Sequence, residues 1–306
     1  MVAYIVRRLF LLIFVLFGVV TLVFFLIHLI PGDPVDIMLG DYAVIADKNE
    51  LRHDLGLDQP LYQQYYRYLS GVLQGDLGIS VHSRKPVLDE ILERIPASAE
   101  LMWGSMTIAF LISFPLGILS AIKPYGFIDS FSMLVAFIGV AMPNFWLGPL
   151  LIILFAIQLD WLPVNERGGL ENLILPAITL GTAMAAMLSR MIRSSLIDVL
   201  GEDFIQNARA KGLKEHKVII KHGLRNALIP VITIIGLQIG VLLSGAIITE
   251  SIFDWPGLGS LLLDGINNRN YPLVQGCILV ISTIYVIVNL ITDISYAWVD
   301  PRVRLV

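Results

Sequence analysis

Six strongly apolar runs constrain this chain more than any other feature. A helix needs about 20 mostly apolar residues to cross a bilayer, and residues 9–30, 101–122, 131–159, 173–192, 228–249 and 273–298 all have that character. The first holds no charge and only His28 as a titratable group. It is too long for a signal-peptide core. It also leads into Pro31-Gly32-Asp33-Pro34 rather than a small-residue cleavage pattern, so it reads as a retained span. Of 306 residues, 56% are apolar and 15% charged, where a soluble domain carries about 25% charged residues. That shortage argues against a water-soluble enzyme and against a disordered chain, which would be charge-rich. The expected fold is an all-α integral membrane protein with six transmembrane helices. It divides into residues 1–30 (N-terminus and first span), an external segment over 31–100, a five-span core over 101–298 and a tail over 299–306.

Charge placement orients the bundle. Between the first two spans, twelve acidic residues from Asp33 to Glu100 face six basic ones, whereas residues 190–225 carry eight basic against four acidic. With Arg7, Arg8, Lys123, Arg302 and Arg304, thirteen of the 21 basic residues fall on one side. The positive-inside rule then places both termini and the basic loop in the cytoplasm. A formal net charge of −4 gives no general attraction to nucleic acid. In the external segment, Leu61, Tyr65, Leu69, Val72 and Leu73 form one helical stripe, and Val87, Leu88, Ile91, Leu92 and Ile95 form another. Two short helices on the outer membrane face fit that pattern, and so does a surface that docks an outside partner. Gly75-Asp76-Leu77-Gly78 between them reads as a turn.

No catalytic apparatus is visible. There is no G-x-x-x-x-G-K-[ST] phosphate loop and no H-E-x-x-H pair. His216 and His222 are six apart, a poor spacing for one helix face, and read as ordinary surface histidines. The single cysteine, Cys277, excludes an internal disulfide and reads as a small hydrophobe. No cofactor or metal site is expected. The candidate intramembrane acids are Glu250, at the outer end of span five, and Asp293, towards the inner end of span six. Each lies within about a turn or two of an interface, which fits solvated or hydrogen-bonded structural roles. The third run carries Met142-Pro143-Asn144-Phe145-Trp146 and then Pro149, so its helix should be kinked or interrupted midway. Freed carbonyls with Asn144 would line a path, and a packing kink explains the same residues. Pro143, Asn144 and Glu250 are the candidates for a translocation path.

The loop between spans four and five, about residues 193–227, is the informative element. Glu202 and Asp203 stand where a short helix would begin and Arg209 and Lys211 where it would end, complementing the helix dipole. Gly212 sits where a left-handed cap would close it. A second helical stretch runs from Lys214 towards Leu224, and Pro230 marks the start of span five. Ala208, Ala210 and Gly212 remove bulk, so another surface could approach the backbone closely. Attraction of a basic amphipathic segment to anionic lipid accounts for the charges equally well.

Arg209-Ala210-Lys211-Gly212-Leu213, followed by His222-Gly223-Leu224-Arg225-Asn226-Ala227-Leu228-Ile229-Pro230, resembles the coupling loop of bacterial ATP-binding-cassette importer permeases. The branch it resembles handles dipeptides, oligopeptides, nickel and glutathione. The resemblance runs in order along nearly the whole chain. It includes Pro31-Gly32-Asp33-Pro34, Leu55-Gly56-Leu57-Asp58-Gln59-Pro60-Leu61, Gly75-Asp76-Leu77-Gly78-Ile79-Ser80, Ala141-Met142-Pro143-Asn144-Phe145-Trp146, Trp255-Pro256-Gly257-Leu258-Gly259 and Asp300-Pro301-Arg302. Of the wider family's Glu-Ala-Ala…Gly loop pattern, only Ala208 and Gly212 are kept. The resemblance implies a type I importer permease fold in a bacterial inner membrane. It also implies a second homologous permease, two cytoplasmic ATPase subunits that hold ATP and magnesium, and an external solute-binding protein. The coupling residues it marks are Glu202, Asp203, Ala208, Ala210, Gly212 and Leu213. Peptide is the first expectation for the cargo, with nickel chelates or glutathione as alternatives and a secondary carrier as the alternative class.

Overall fold

The apolar runs fold as helices although they are rich in β-branched residues, because a segment in lipid must satisfy every backbone N–H and C=O internally, and glycine and proline set the breaks. The computed structural model describes residues 2–29, 35, 48–49, 52–53, 56–164 and 167–299. Among them the helices are α1 (Val2–Leu29), α2 (Leu61–Gln74), α3 (Val87–Ile122), α4 (Phe127–Ala141), α5 (Asn144–Leu151), α6 (Leu170–Leu200), α7 (Asp203–Ala210), α8 (Glu215–Lys217), α9 (Arg225–Ile252), α10 (Leu258–Asn267) and α11 (Tyr271–Val299). Wide π-helical turns extend α5 over Ile152–Gln158 and join α8 to α9 over Val218–Leu224. The motifs Pro31-Gly32-Asp33-Pro34 and Asp300-Pro301-Arg302, Leu55, Arg304 and several acids of the external segment lie outside the described residues, as does the side chain of Asp293.

Four helical stretches are long and apolar enough to cross a membrane: Val87–Ile122, Leu170–Leu200, Glu215–Gly240 and Tyr271–Thr292. The third apolar run is not one helix. It folds as Phe127–Ala141 and Asn144–Gln158, bent by 103°. Pro143 cannot donate a backbone hydrogen bond and takes extended angles (φ −66°, ψ 143°), so the ladder stops there. Counting that pair as one span gives five. In α1 the described apolar stretch Phe10–Phe25 is shorter than a full crossing. The expected count of six is therefore not reached among the described residues. The second external stripe also departs from expectation, because Val87 to Ile95 forms the first turns of α3 instead of a separate surface helix.

The chain forms two compact units. One comprises Met1–Ser98 and Pro256–Val286. Here α2 turns Tyr65 towards α1, where its hydroxyl meets Thr21 Oγ1 at 2.7 Å and its ring meets Phe24 edge-on. Gly75 closes α2 in a left-handed conformation (φ +79°), and Gly78 N–H donates to Asp76 Oδ1 at 2.8 Å, so the glycine-aspartate motif is a turn. Buried Asn270 donates to Ser80 Oγ (2.8 Å) and accepts from Val81 N–H (3.2 Å), tying the stretch before α3 to the start of α11. Val87 and Ile91 are fully buried and pack on Gly276.

The other unit comprises Ala99–Trp255 and Ile287–Val306, and α6 is its axis. Fourteen of its residues are buried, many of them small: Ala177, Gly181, Ala185, Ala186 and Ser189 among them. Small residues let membrane helices approach until their backbones touch. A Cβ added at Gly181 would stand 2.5 Å from the Ser105 carbonyl oxygen of α3. One at Gly117 would stand 2.8 Å from Ile192 and from Ser189 O of α6. Gly139 of α4 meets Thr182 and Ala186 in the same way. Leu175, Ala156 and Phe253 close the far end of this core.

Candidate functional site

The basic loop folds as the helix–glycine–helix element that its pattern predicts. After Gly201, α7 begins with Glu202 at its N-cap position and Asp203 in the first turn, and Arg209 lies in its last turn. Glu202 caps through its backbone, accepting from Ile205 N–H at 3.0 Å, and its carboxylate makes no cap bond. At the other end Gly212 N–H donates to Arg209 O (2.9 Å) and Leu213 N–H to Ala208 O (3.4 Å). Gly212 itself has φ +77°. This is the left-handed Schellman closure that satisfies the last carbonyls of a helix. The carboxylate of Glu215 accepts from Arg209 Nη2 (2.7 Å) and Nε (3.2 Å), bridging the turn on its exposed side. That bond raises the Arg209 pKa further above its usual value.

Packing fixes the element to the bundle. Ile205 and Ala208 of α7 are buried against Val218 of the π turn, with Val199 and Leu200 of α6 around them. Leu196, Ile219, Ala227 and Ala121 continue that core into α3 and α9. Full burial of an Ile or Val side chain stabilises by roughly 1.5–3 kcal/mol, so α7, the π turn and the end of α6 hold together as one body. Ala208 therefore faces inward, and its small side chain serves this internal packing instead of an outside surface. Glu202, Asp203, Ala210, Gly212 and Leu213 are exposed, and a Cβ at Gly212 would meet nothing within 4 Å. Phe204 and Ile220, 42% and 53% exposed, add an apolar component to this face. The sequence pattern did not single them out, because each adjoins a buried isoleucine (Ile205 and Ile219) and the local period does not say which of the two points out.

A second feature lies beside the element. Arg193, about two turns before the end of α6, forks onto Asp129 at the start of α4: Nε to Oδ1 and Nη2 to Oδ2, both 2.6 Å. Asp129 is 3% exposed and also accepts from Tyr125 N–H at 2.7 Å. The Tyr125 ring lies 5.9 Å from the guanidinium carbon. Two-point geometry of this kind is directional as well as strong. The available signal was an acid, Asp129, in the first turn of an apolar helix, and only its partner in space reveals the role.

The path candidates fall in two places. Pro143 and Asn144 sit at the 103° break, where Asn144 is half-buried with its amide making no hydrogen bond among the described residues. Gly148 brings the second arm of that break onto Ile252 and Phe253, just beyond Glu250. Glu250 is fully buried and not without a partner, which corrects the expectation that it reaches water. Among the described residues no three of His, Cys, Asp or Glu gather as a metal site.

Comparison with known proteins adds the context. Residues 113–305 match the family model for the binding-protein-dependent transport system inner membrane component, and residues 1–102 match the model for the N-terminal part of such membrane components. The chain is 45% identical to the glutathione transport system permease protein GsiC of Escherichia coli O6:H1, covering 99% of each chain. It is 43% identical to the dipeptide transport system permease protein DppB of Escherichia coli K12, again over 99% of each. Among solved structures it is similar to a chain of the MetNI methionine ABC transporter in an inward-facing conformation. There the TM-score is 0.58 at 16% identity, over 69% of this chain and 96% of the other, a likeness of fold alone.

Proposed function

We infer the function of this chain from the family to which it belongs, the binding-protein-dependent transport system inner membrane components. It is the permease subunit of an ATP-driven importer and forms half of the translocation pathway for small peptides, a class that includes dipeptides and glutathione. The observation that carries this reading is the identity of more than two-fifths along 99% of the chain to a glutathione permease and to a dipeptide permease. A second homologous permease completes the pathway, two ATPase subunits drive it with docking at the α7 face, and an external binding protein delivers the peptide. Both termini and α7 lie in the cytoplasm, in accord with the concentration of basic residues on that side.

The mechanism proposed from these parts is a lever. Closure of the ATPase pair pulls on the exposed face from Asp203 to Leu213. Because α7 is packed against the π turn and α6, the pull passes into spans instead of being lost in a loose loop. The pore then opens outward, accepts the peptide from the binding protein and resets after hydrolysis. Nucleotide chemistry belongs to the partners.

Proteoliposomes holding this chain with its companion permease, the ATPases and the binding protein test the reading. ATP-dependent uptake of labelled dipeptide or glutathione is expected, with a nickel chelate as the control cargo. Gradient-driven uptake by this chain alone would establish a secondary carrier instead.

A further inference from the structure

The unit formed by Met1–Ser98 and Pro256–Val286 holds a cavity of about 400 Å³ between α1, α2, the turn at residues 76–81 and the first turn of α11. That volume lies in the range of small-molecule sites, roughly 300–1,000 Å³. Its walls are Phe24, Leu77 and the rings of Tyr68 and Tyr271, with Arg67 and Arg84 at its polar side.

Its hydrogen bonding is unbalanced in one direction. Several acceptors along the wall are engaged, while the Gln275 amide forms no hydrogen bond among the described residues. Gln64 Oε1 meets His28 Nε2 at 3.2 Å, the carbonyls of Gln59 and Leu57 take the Gln64 amide, and Asp76 Oδ1 takes Gly78 N–H. The donors are not. The hydroxyls of Tyr68 and Tyr271 are buried without a hydrogen-bond partner, and neither Arg67 nor Arg84 forms a side-chain hydrogen bond or an ion pair among the described residues. Buried polar groups in native proteins nearly always have a partner, so two orphaned hydroxyls on residues that line one cavity point to something that is bound there. Burial pushes the Tyr68 hydroxyl up to about 12, so it remains a donor at any physiological pH. Arg67 is also given room. Its guanidinium lies against Gly56, where a Cβ would stand 2.6 Å from Nη1. Two arginines against the single carboxylate of Asp76 leave the lining positive.

We propose that this cavity binds a small amphipathic anion, with a carboxylate or phosphate taken by Arg67, Arg84 and the tyrosine hydroxyls and an apolar body lying against Phe24. Two sources supply that chemistry: the terminal carboxylate of a peptide cargo, and the headgroup of an anionic phospholipid. Only the first rests on the transport role.

The test uses the full chain in phosphatidylcholine nanodiscs. Binding of alanyl-phenylalanine and of its C-terminal amide is measured for wild type, R67Q/R84Q and Tyr68→Phe. Both arginines are exposed and unpaired, so the double variant keeps its unfolding midpoint. If cargo is the source, the free acid binds wild type at least tenfold more tightly than R67Q/R84Q does, Tyr68→Phe loses a few-fold, and the amide shows neither difference. If lipid is the source, wild type purified from cells retains phosphatidylglycerol that R67Q/R84Q has lost, by mass spectrometry. Equal peptide binding together with equal lipid retention overturns the site. Wild-type uptake in the reconstituted importer is scored separately, so failure of the transport reading and failure of the cavity are told apart.

Discussion

Two regions of the same unit each contain a key glycine and an arginine–carboxylate pair, and they use them for opposite reasons. On the packed face of α6, Gly181 is required because there is no room: the backbone of α3 occupies the place of a Cβ. At the end of α7, Gly212 has open space around it and is required by its left-handed backbone. The ion pairs divide likewise. Asp129–Arg193 is enclosed, with side chains 5% and 21% exposed, whereas Glu215–Arg209 is 56% and 42% exposed. The packed face defines the fold, and the elbow keeps its own geometry while leaving its surface free. Substitutions in the first region should therefore damage the protein itself, and those in the second should damage what it does with others.

The largest effect should come from the enclosed pair. Arg193→Ala leaves the Asp129 carboxylate buried without its partner, and breaking such a pair costs about 3 kcal/mol. Thermal unfolding in detergent should show a clear fall in midpoint. Arg193→Lys should recover only part of it, since an ammonium cannot reproduce the two-point fork. If Arg193→Ala proves as mild as the same change at Arg209, the contrast between the regions fails. Next comes Gly181→Ala, where the new methyl would collide with a backbone oxygen that a side-chain rotation cannot move. Overpacking of this kind costs about 1–3 kcal/mol, again read as a lowered midpoint. Gly212→Ala, measured in parallel, should meet no such collision.

How far these regions were legible in the sequence follows from the same contrast. The α7 elbow was readable because its signals are local: acids at one end, bases at the other, and a glycine at the cap. The broken third run was readable because proline removes its own donor. The Asp129–Arg193 fork was not, since 64 residues separate the partners and neither has a neighbour that implies the other. The inward turn of Ala208 was hidden for a related reason. An alanine on a short helix gives the same pattern whether its face meets the chain's own π turn or another protein. Continuity misled once as well: the stripe from Val87 to Ile95 looks like a separate amphipathic helix, yet it forms the first turns of α3.

Smaller in stability, and sharper for function, is the comparison at Gly212. Valine there is strained by roughly 1–2 kcal/mol, because a left-handed conformation crowds Cβ against the following carbonyl. The strain falls on an exposed cap, so the unfolding midpoint should drop less than for Gly181→Ala. Asparagine tolerates that conformation. In the reconstituted importer, Gly212→Val should hydrolyse ATP with reduced peptide uptake. The asparagine variant then separates two causes. Normal coupling with Gly212→Asn assigns the effect to cap geometry, while lost coupling assigns it to close approach by the ATPase.

The smallest effect should belong to the Arg209–Glu215 bridge. Exposed pairs gain little, because water screens them and two long side chains lose freedom in meeting. Its bonds cross the Gly212 turn, yet the Schellman closure already holds that turn through backbone groups alone. Arg209→Ala should therefore leave the unfolding midpoint unchanged. Charge at an interface rim acts mainly on association rate and salt dependence. If the exposed elbow is where ATPase subunits dock, Arg209→Ala should slow their association and flatten its dependence on ionic strength. A midpoint shift comparable to that of Arg193→Ala, with association unchanged, would mean that the bridge supports the fold and that the two regions differ less than their exposures imply.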